Sequence, residues 1–93
     1  MIRTFADKRT KAVFDDVPVK GLGADVRRSG RKKLLMLNRA VALNDLRVPP
    51  GNRLEALGRD RLGQHSIRVN DRWRICFVWR DGAAYDVEIT DYH

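Results

Sequence analysis

Hydrophobic positions along the chain change their period near its middle, from helical spacing to strict alternation. Ile2 to Phe5 reads as a short first strand, and Asp7 follows as an N-cap for a helix carrying Ala12, Val13 and Phe14. Beyond the loop at Gly21-Leu22-Gly23, a second helix is expected from Ala24 to Ala42. Its apolar residues Val26, Leu34, Leu37 and Val41 recur at helical intervals and leave Arg27, Arg28, Arg31, Lys32 and Arg39 to face water. Gly30 weakens this helix. Leu43 to Leu46 adds a short turn before Pro49-Pro50 stops helix formation.

After Gly51 the pattern becomes that of strands: Asn52 to Leu57, Gln64 to Val69, a two-residue turn at Asn70-Asp71, then Arg72 to Trp79. Arg80-Asp81-Gly82 turns the chain into Ala84 to Thr90, where Tyr85, Val87 and Ile89 alternate with Asp86, Glu88 and Thr90. Trp73, Ile75, Phe77 and Trp79 share the face that the helices should cover, with Arg74, Cys76 and Val78 on the other, so this strand is expected at the centre of the sheet. The expected fold class is α+β: two helices from the N-terminal half packed on one face of a mostly antiparallel four- to five-stranded sheet. It forms a single domain over residues 1–93.

Composition narrows the function. With 93 residues there is room for one core and none for a large cofactor cavity. Nineteen Lys and Arg against twelve Asp and Glu give a net charge of +7, a field that draws polyanions. No apolar run approaches the roughly 20 residues of a membrane helix, and the start lacks the apolar stretch of a secretory signal. A soluble, cytoplasmic protein with no membrane partner is expected. One cysteine, Cys76, cannot form an internal disulfide. His65, Cys76 and His93 contain no closely spaced pair, so neither metal nor cofactor is expected. Gly21-Leu22-Gly23 is too degenerate for a phosphate loop.

Arg74 opens the chemical question, because a guanidinium on an inner strand must be paired, solvated or kept for a ligand. One reading pairs it within the sheet to Glu88 or Asp91. The other makes it a phosphate clamp, since its planar fork matches phosphate oxygens two at a time. The closing Asp91-Tyr92-His93 adds an aromatic ring and an imidazole directly after the last strand. His65, on the parity of Ile67 and Val69, is expected to be packed and hydrogen-bonded, and Cys76 to be a small buried hydrophobe.

These residues together resemble the HigB group of toxins in the RelE/ParE superfamily of bacterial toxin–antitoxin systems. The resemblance rests on Met1-Ile2-Arg3-Thr4-Phe5, on the block from Leu46 to Leu57, on that from Gly63 to Phe77, and on Asp91-Tyr92-His93. It implies a RelE-like fold with an RNA cleft on the open sheet face, binding to the bacterial ribosome, and metal-free cleavage of messenger RNA. It also implies a HigA-like helix-turn-helix antitoxin, with operator DNA bound only through the antitoxin complex. By matching position, Glu55 would be the general base or a carboxylate that merely neutralises Arg74 in the resting protein, Arg74 the contact to the scissile phosphate, His93 the general acid and Tyr92 a group that stacks on or orients a base. Gly58 stands where a lysine is common; Arg53, Arg59 or Arg61 would then supply the missing cation, and Arg68 is a further RNA-binding candidate. Arg27, Arg28, Arg31, Lys32 and Lys33 become candidate contacts to ribosomal RNA phosphates or to an acidic antitoxin segment.

The chemistry needs those residue types. Metal-free cleavage uses the neighbouring 2′-hydroxyl as nucleophile, so one group takes its proton, another protonates the departing 5′-oxygen, and cations steady the charge between them. Imidazole suits proton donation because its ordinary pKa lies near 6.5. The alternative is a ParE-like toxin that inhibits DNA gyrase without RNA chemistry. A third reading is a degenerate relative that binds only antitoxin and operator.

Overall fold

The computed structural model describes residues 1–91. Helix α1 (Lys8–Phe14) and helix α2 (Ala24–Arg39) precede strands β1 (Glu55–Ala56), β2 (Gln64–Arg68), β3 (Trp73–Arg80) and β4 (Ala83–Asp91). The strands form one antiparallel sheet in the order β1-β2-β3-β4. This is the expected α+β architecture, with β3 inside the sheet.

Local chemistry sets the element ends. Asp7 caps α1 as expected, its carboxylate accepting from the Thr10 backbone N–H at 2.7 Å. Helix α2 stops three residues earlier than its hydrophobic pattern suggests. The Asp45 carboxylate accepts from the N–H groups of Val41 and Ala42 at 2.9 and 3.0 Å, drawing them out of the helical ladder. Val41, expected in the apolar stripe, is instead exposed. Those two bonds hold the Asp45 carboxyl below the usual carboxylate range, the Ala42 N–H contributing most. The expected turn after α2 is present as a 3₁₀ segment, Leu43–Arg47.

Leu34, Leu37, Leu46, Ile67, Ile75, Phe77, Val87 and Ile89 form the fully buried heart of the core between helices and sheet. Gly30 explains the close approach of α2 to β4: a Cβ there would lie 3.2 Å from Ile89 Cδ1. The residue that weakens the helix thus lets it dock, which is a packing reason for a poor helix former.

Four sequence expectations need correction. Ile2 to Phe5 is not a continuous strand; it makes two isolated parallel bridges to β4, Ile2 with Ala84 and Phe5 with Val87. A β-bulge on β4 separates them, with Asp86 at φ +52° and its N–H donating to Thr4 Oγ1 at 2.8 Å. The same bulge breaks the expected alternation. Tyr85 pairs with Val78 and Glu88 with Cys76, so both stand on the open face, whereas Val87 and Ile89 are buried in the core. Strand Asn52 to Leu57 shrinks to Glu55–Ala56 because Pro50–Asn52 is a 3₁₀ turn and Arg53 adopts a left-handed conformation at φ +46°. Finally, Asn70-Asp71 is not a two-residue turn. The Asn70 side-chain oxygen accepts from the N–H groups of Arg72 and Trp73, which widens the loop between the paired Arg68 and Arg74. The turn at Asp81-Gly82 is as expected, both residues having positive φ in a tight link between Arg80 and Ala83.

Candidate active site

Strand parity assembles the open face. Glu55 pairs with Ser66, Ser66 with Cys76, and Arg68 with Arg74, so these side chains rise from the side of the sheet that the helices leave uncovered. Next to β1, the turn through Gly51 and Arg53 forms a wall. The result is a groove of about 610 Å³ lined by Gly51, Arg53, Glu55, Arg68, Asn70, Asp71 and Arg74.

Arg74 lies at its base, with a side chain only 13% exposed. Its Nε donates to Ser66 Oγ at 2.8 Å, and its Nη2 donates to the Arg53 carbonyl at 2.8 Å. That carbonyl is presented by the left-handed turn at Arg53. The Glu55 carboxylate stands 3.6 Å from Nη2, too far for a hydrogen bond, and its side chain is 52% exposed. The pairing expected within the sheet, to Glu88 or Asp91, does not form: Glu88 takes Arg61 at 3.1 Å and Asp91 takes Arg72 at 2.7 Å.

The pair is a loose one, since its Glu55 end is half-exposed and makes no hydrogen bond to the guanidinium. A phosphate oxygen entering the groove therefore displaces little when it engages the guanidinium. Among the described residues Glu55 has no hydrogen bond holding it, so its carboxylate is chemically able to act on a hydroxyl beside that phosphate. Arg53 and Arg68 line the same groove, and Arg68 is hydrogen-bonded to Asp71.

The remaining expected site residues separate. Arg61 lies on the open face but further along, between Gln64 and Glu88. Arg59 is exposed in the 3₁₀ turn Arg59–Arg61 and does not line the groove. Arg27, Arg28, Arg31 and Lys32 line a different hollow, about 370 Å³, between α1 and α2 on the helical side. Lys33 turns away from them, its Nζ donating to Asn52 Oδ1. Burial, then the positive charges of Lys32 and Arg68, push its pKa down. Tyr92 and His93, the expected stacking residue and general acid, lie outside the described residues.

His65 stacks on Phe77, ring centroids 6.3 Å apart, as a packed histidine should. The expected hydrogen bond is missing at Nδ1, which is buried without a partner among the described residues. Cys76 is fully buried, and burial pushes its thiol pKa up, so it stays a protonated thiol. No cluster of three or more His, Cys, Asp or Glu capable of holding a metal occurs among the described residues. Nor does any described helix have the length and apolarity to cross a membrane.

Two supports of the groove escape a sequence reading. Ser66 is fully buried and orients Arg74; the available signal was its parity with Arg68. Asn52 is also fully buried, and reads in the sequence only as the first residue of the strand expected after Pro-Pro-Gly. Its Nδ2 donates to the Leu46 carbonyl at 3.1 Å and to Met36 Sδ at 3.1 Å, fastening the turn that presents the Arg53 carbonyl.

Comparisons with known proteins bear on the family and the fold. Toxin HigB-1 of Vibrio cholerae is 39% identical over 93 residues, covering 99% of this chain and 98% of that protein. Endoribonuclease HigB of Proteus vulgaris is 34% identical over 94 residues, with complete coverage of both. A solved YoeB–YefM complex from Staphylococcus aureus contains a chain of the same fold, with a TM-score of 0.62 and 14% identity over 100% of this chain and 98% of that one. Residues 3–93 match the HigB-like toxin family, described as the RelE-like toxin of the type II toxin–antitoxin system HigB. The groove at the open sheet face and the full-length match together place the chain in that family: it is a HigB-like, RelE-fold toxin of a type II toxin–antitoxin system.

Proposed function

We propose that this toxin is a metal-independent endoribonuclease that cuts messenger RNA on the bacterial ribosome and so stops translation. The observation that carries the reading is the convergence of Glu55, Arg53, Arg68 and Arg74 in one groove. Arg74 holds the scissile phosphate, and Glu55 takes the 2′-hydroxyl proton. His93 gives a proton to the departing oxygen and Tyr92 stacks on a base. In support, β4 reaches Asp91 opposite Trp73, beside the Arg74 position. Arg53 and Arg68 supply the cations that Gly58 does not. The ribosome holds the message and contributes positioning, which explains why so few protein groups suffice.

The partner in the cell is a HigA-like helix-turn-helix antitoxin, and operator DNA is met only through that complex. Arg27, Arg28, Arg31 and Lys32 face ribosomal RNA phosphates from the helical side, and cytoplasmic residence follows from the ribosomal target. The test is cleavage of ribosome-bound message by purified protein. Glu55→Gln, Arg74→Ala and His93→Ala should each lower the rate by about 10²–10⁴-fold with circular dichroism unchanged. Undiminished cleavage in all three variants rejects the site, and gyrase inhibition without message cleavage rejects the nuclease.

A further inference from the structure

The open face carries a second feature beyond the groove. The bulge at Asp86 turns Tyr85 onto this face, and the Arg80 guanidinium lies 4.2 Å from the centre of its ring. Arg80 is exposed, and Tyr85 is only half-buried. Tyr85 sits across from Val78, four residues along β3 from Arg74, a separation of about 13 Å at the rise of a strand. Between the two ends stands Arg61, its guanidinium held by Glu88. The face thus runs from Arg74 past Arg61 to Arg80 as a row of cations ending in an aromatic ring.

We propose that Tyr85 and Arg80 form a base-stacking subsite for the same single-stranded RNA that occupies the groove, about four stacked nucleotides from the phosphate at Arg74. This rests on the reading that the groove takes RNA and extends it to a second contact on the strand. Aromatic rings and guanidinium planes both accept nucleobases, and both do so with little sequence preference. The stacked pair presents two such planes already ordered, so a base pays little to be received there. Without the bulge, Tyr85 would lie on the helical face and Asp86 would stand across from Val78 in its place.

The experiment measures binding of the full-length protein to fluorescent, uncleavable 2′-O-methyl RNA. One oligonucleotide of about two nucleotides fills the groove alone, and one of about twelve spans both features. The wild type should bind the longer strand more tightly. Tyr85→Ala should weaken the longer strand by about 5- to 150-fold, the range for loss of one aromatic stacking partner, and leave the shorter one unchanged. Tyr85→Leu, which preserves apolar bulk at the hairpin, should behave as Tyr85→Ala, and Tyr85→Phe as wild type. Equal binding of both lengths by the wild type, or equal loss on both in Tyr85→Ala and Tyr85→Leu, overturns the subsite. Arg74→Ala separates the two readings. It should weaken both lengths, whereas retained message cleavage in Arg74→Ala alongside a length-selective loss in Tyr85→Leu would reject the catalytic reading and keep the subsite.

Discussion

Asn52→Ala tests whether one buried amide organises the groove. The side chain is fully buried, donating to the Leu46 carbonyl and Met36 Sδ and accepting from Lys33 Nζ. Truncation strands the Leu46 carbonyl in the core, at about 1–3 kcal/mol. The void left by the carboxamide adds roughly 1 kcal/mol. Lys33 is only half-buried and turns to water, so its contribution is small. The total is about 2–4 kcal/mol, a large share of the 5–15 kcal/mol typical of a domain, and lowers Tm by roughly 10–20 °C. Urea unfolding and a thermal melt followed by circular dichroism both read it, with an unchanged urea slope confirming that the native state is otherwise intact. Because the same turn presents the Arg53 carbonyl to Arg74, cleavage at a temperature where the variant is folded should fall as well. A variant within about 0.5 kcal/mol of wild type, the range of ordinary surface changes, would refute the account of Asn52 as the fastener of this turn.

Other consequences follow from the same contacts. Native Cys76 should resist alkylation at pH 8, reacting at the rate of global opening rather than that of a free thiol, and full speed modification of the native protein would contradict its burial. Gly30→Val should destabilise by about 1–3 kcal/mol through overpacking against Ile89, while Gly30→Ala stays near neutral because better helix propensity offsets a slight shift of Ile89 Cδ1; equal melts for the two variants would refute this. The Asp45 carboxyl is depressed in the folded state, so its stabilisation is present above the ordinary value of 3.8 and is lost as pH falls through the lower folded value. The gap in Tm between wild type and Asp45→Ala should therefore close on acidification, and a gap independent of pH would show that the charge is not involved.

Periodicity and local chemistry were enough to specify two helices, an antiparallel meander, the Asp7 cap and the Asp81-Gly82 turn, because each depends on residues close together in the chain. The motif blocks were enough to identify the toxin family and to single out Glu55 and Arg74. Tertiary structure decided what those residues touch. Arg74 meets Glu55 rather than Glu88 or Asp91 because the left-handed turn at Arg53 and the buried Ser66 draw its guanidinium toward β1, while Arg61 and Arg72 take the other two acids. Tyr85 reaches the open face because one bulged residue reverses the parity of half a strand, and alternation alone carries no sign of that insertion. Lys33 and Asn52, nineteen residues apart, become partners only when α2 and the turn before β1 pack together. Backbone preference is written locally, but the pairing of buried polar groups depends on which distant groups are present when water is excluded.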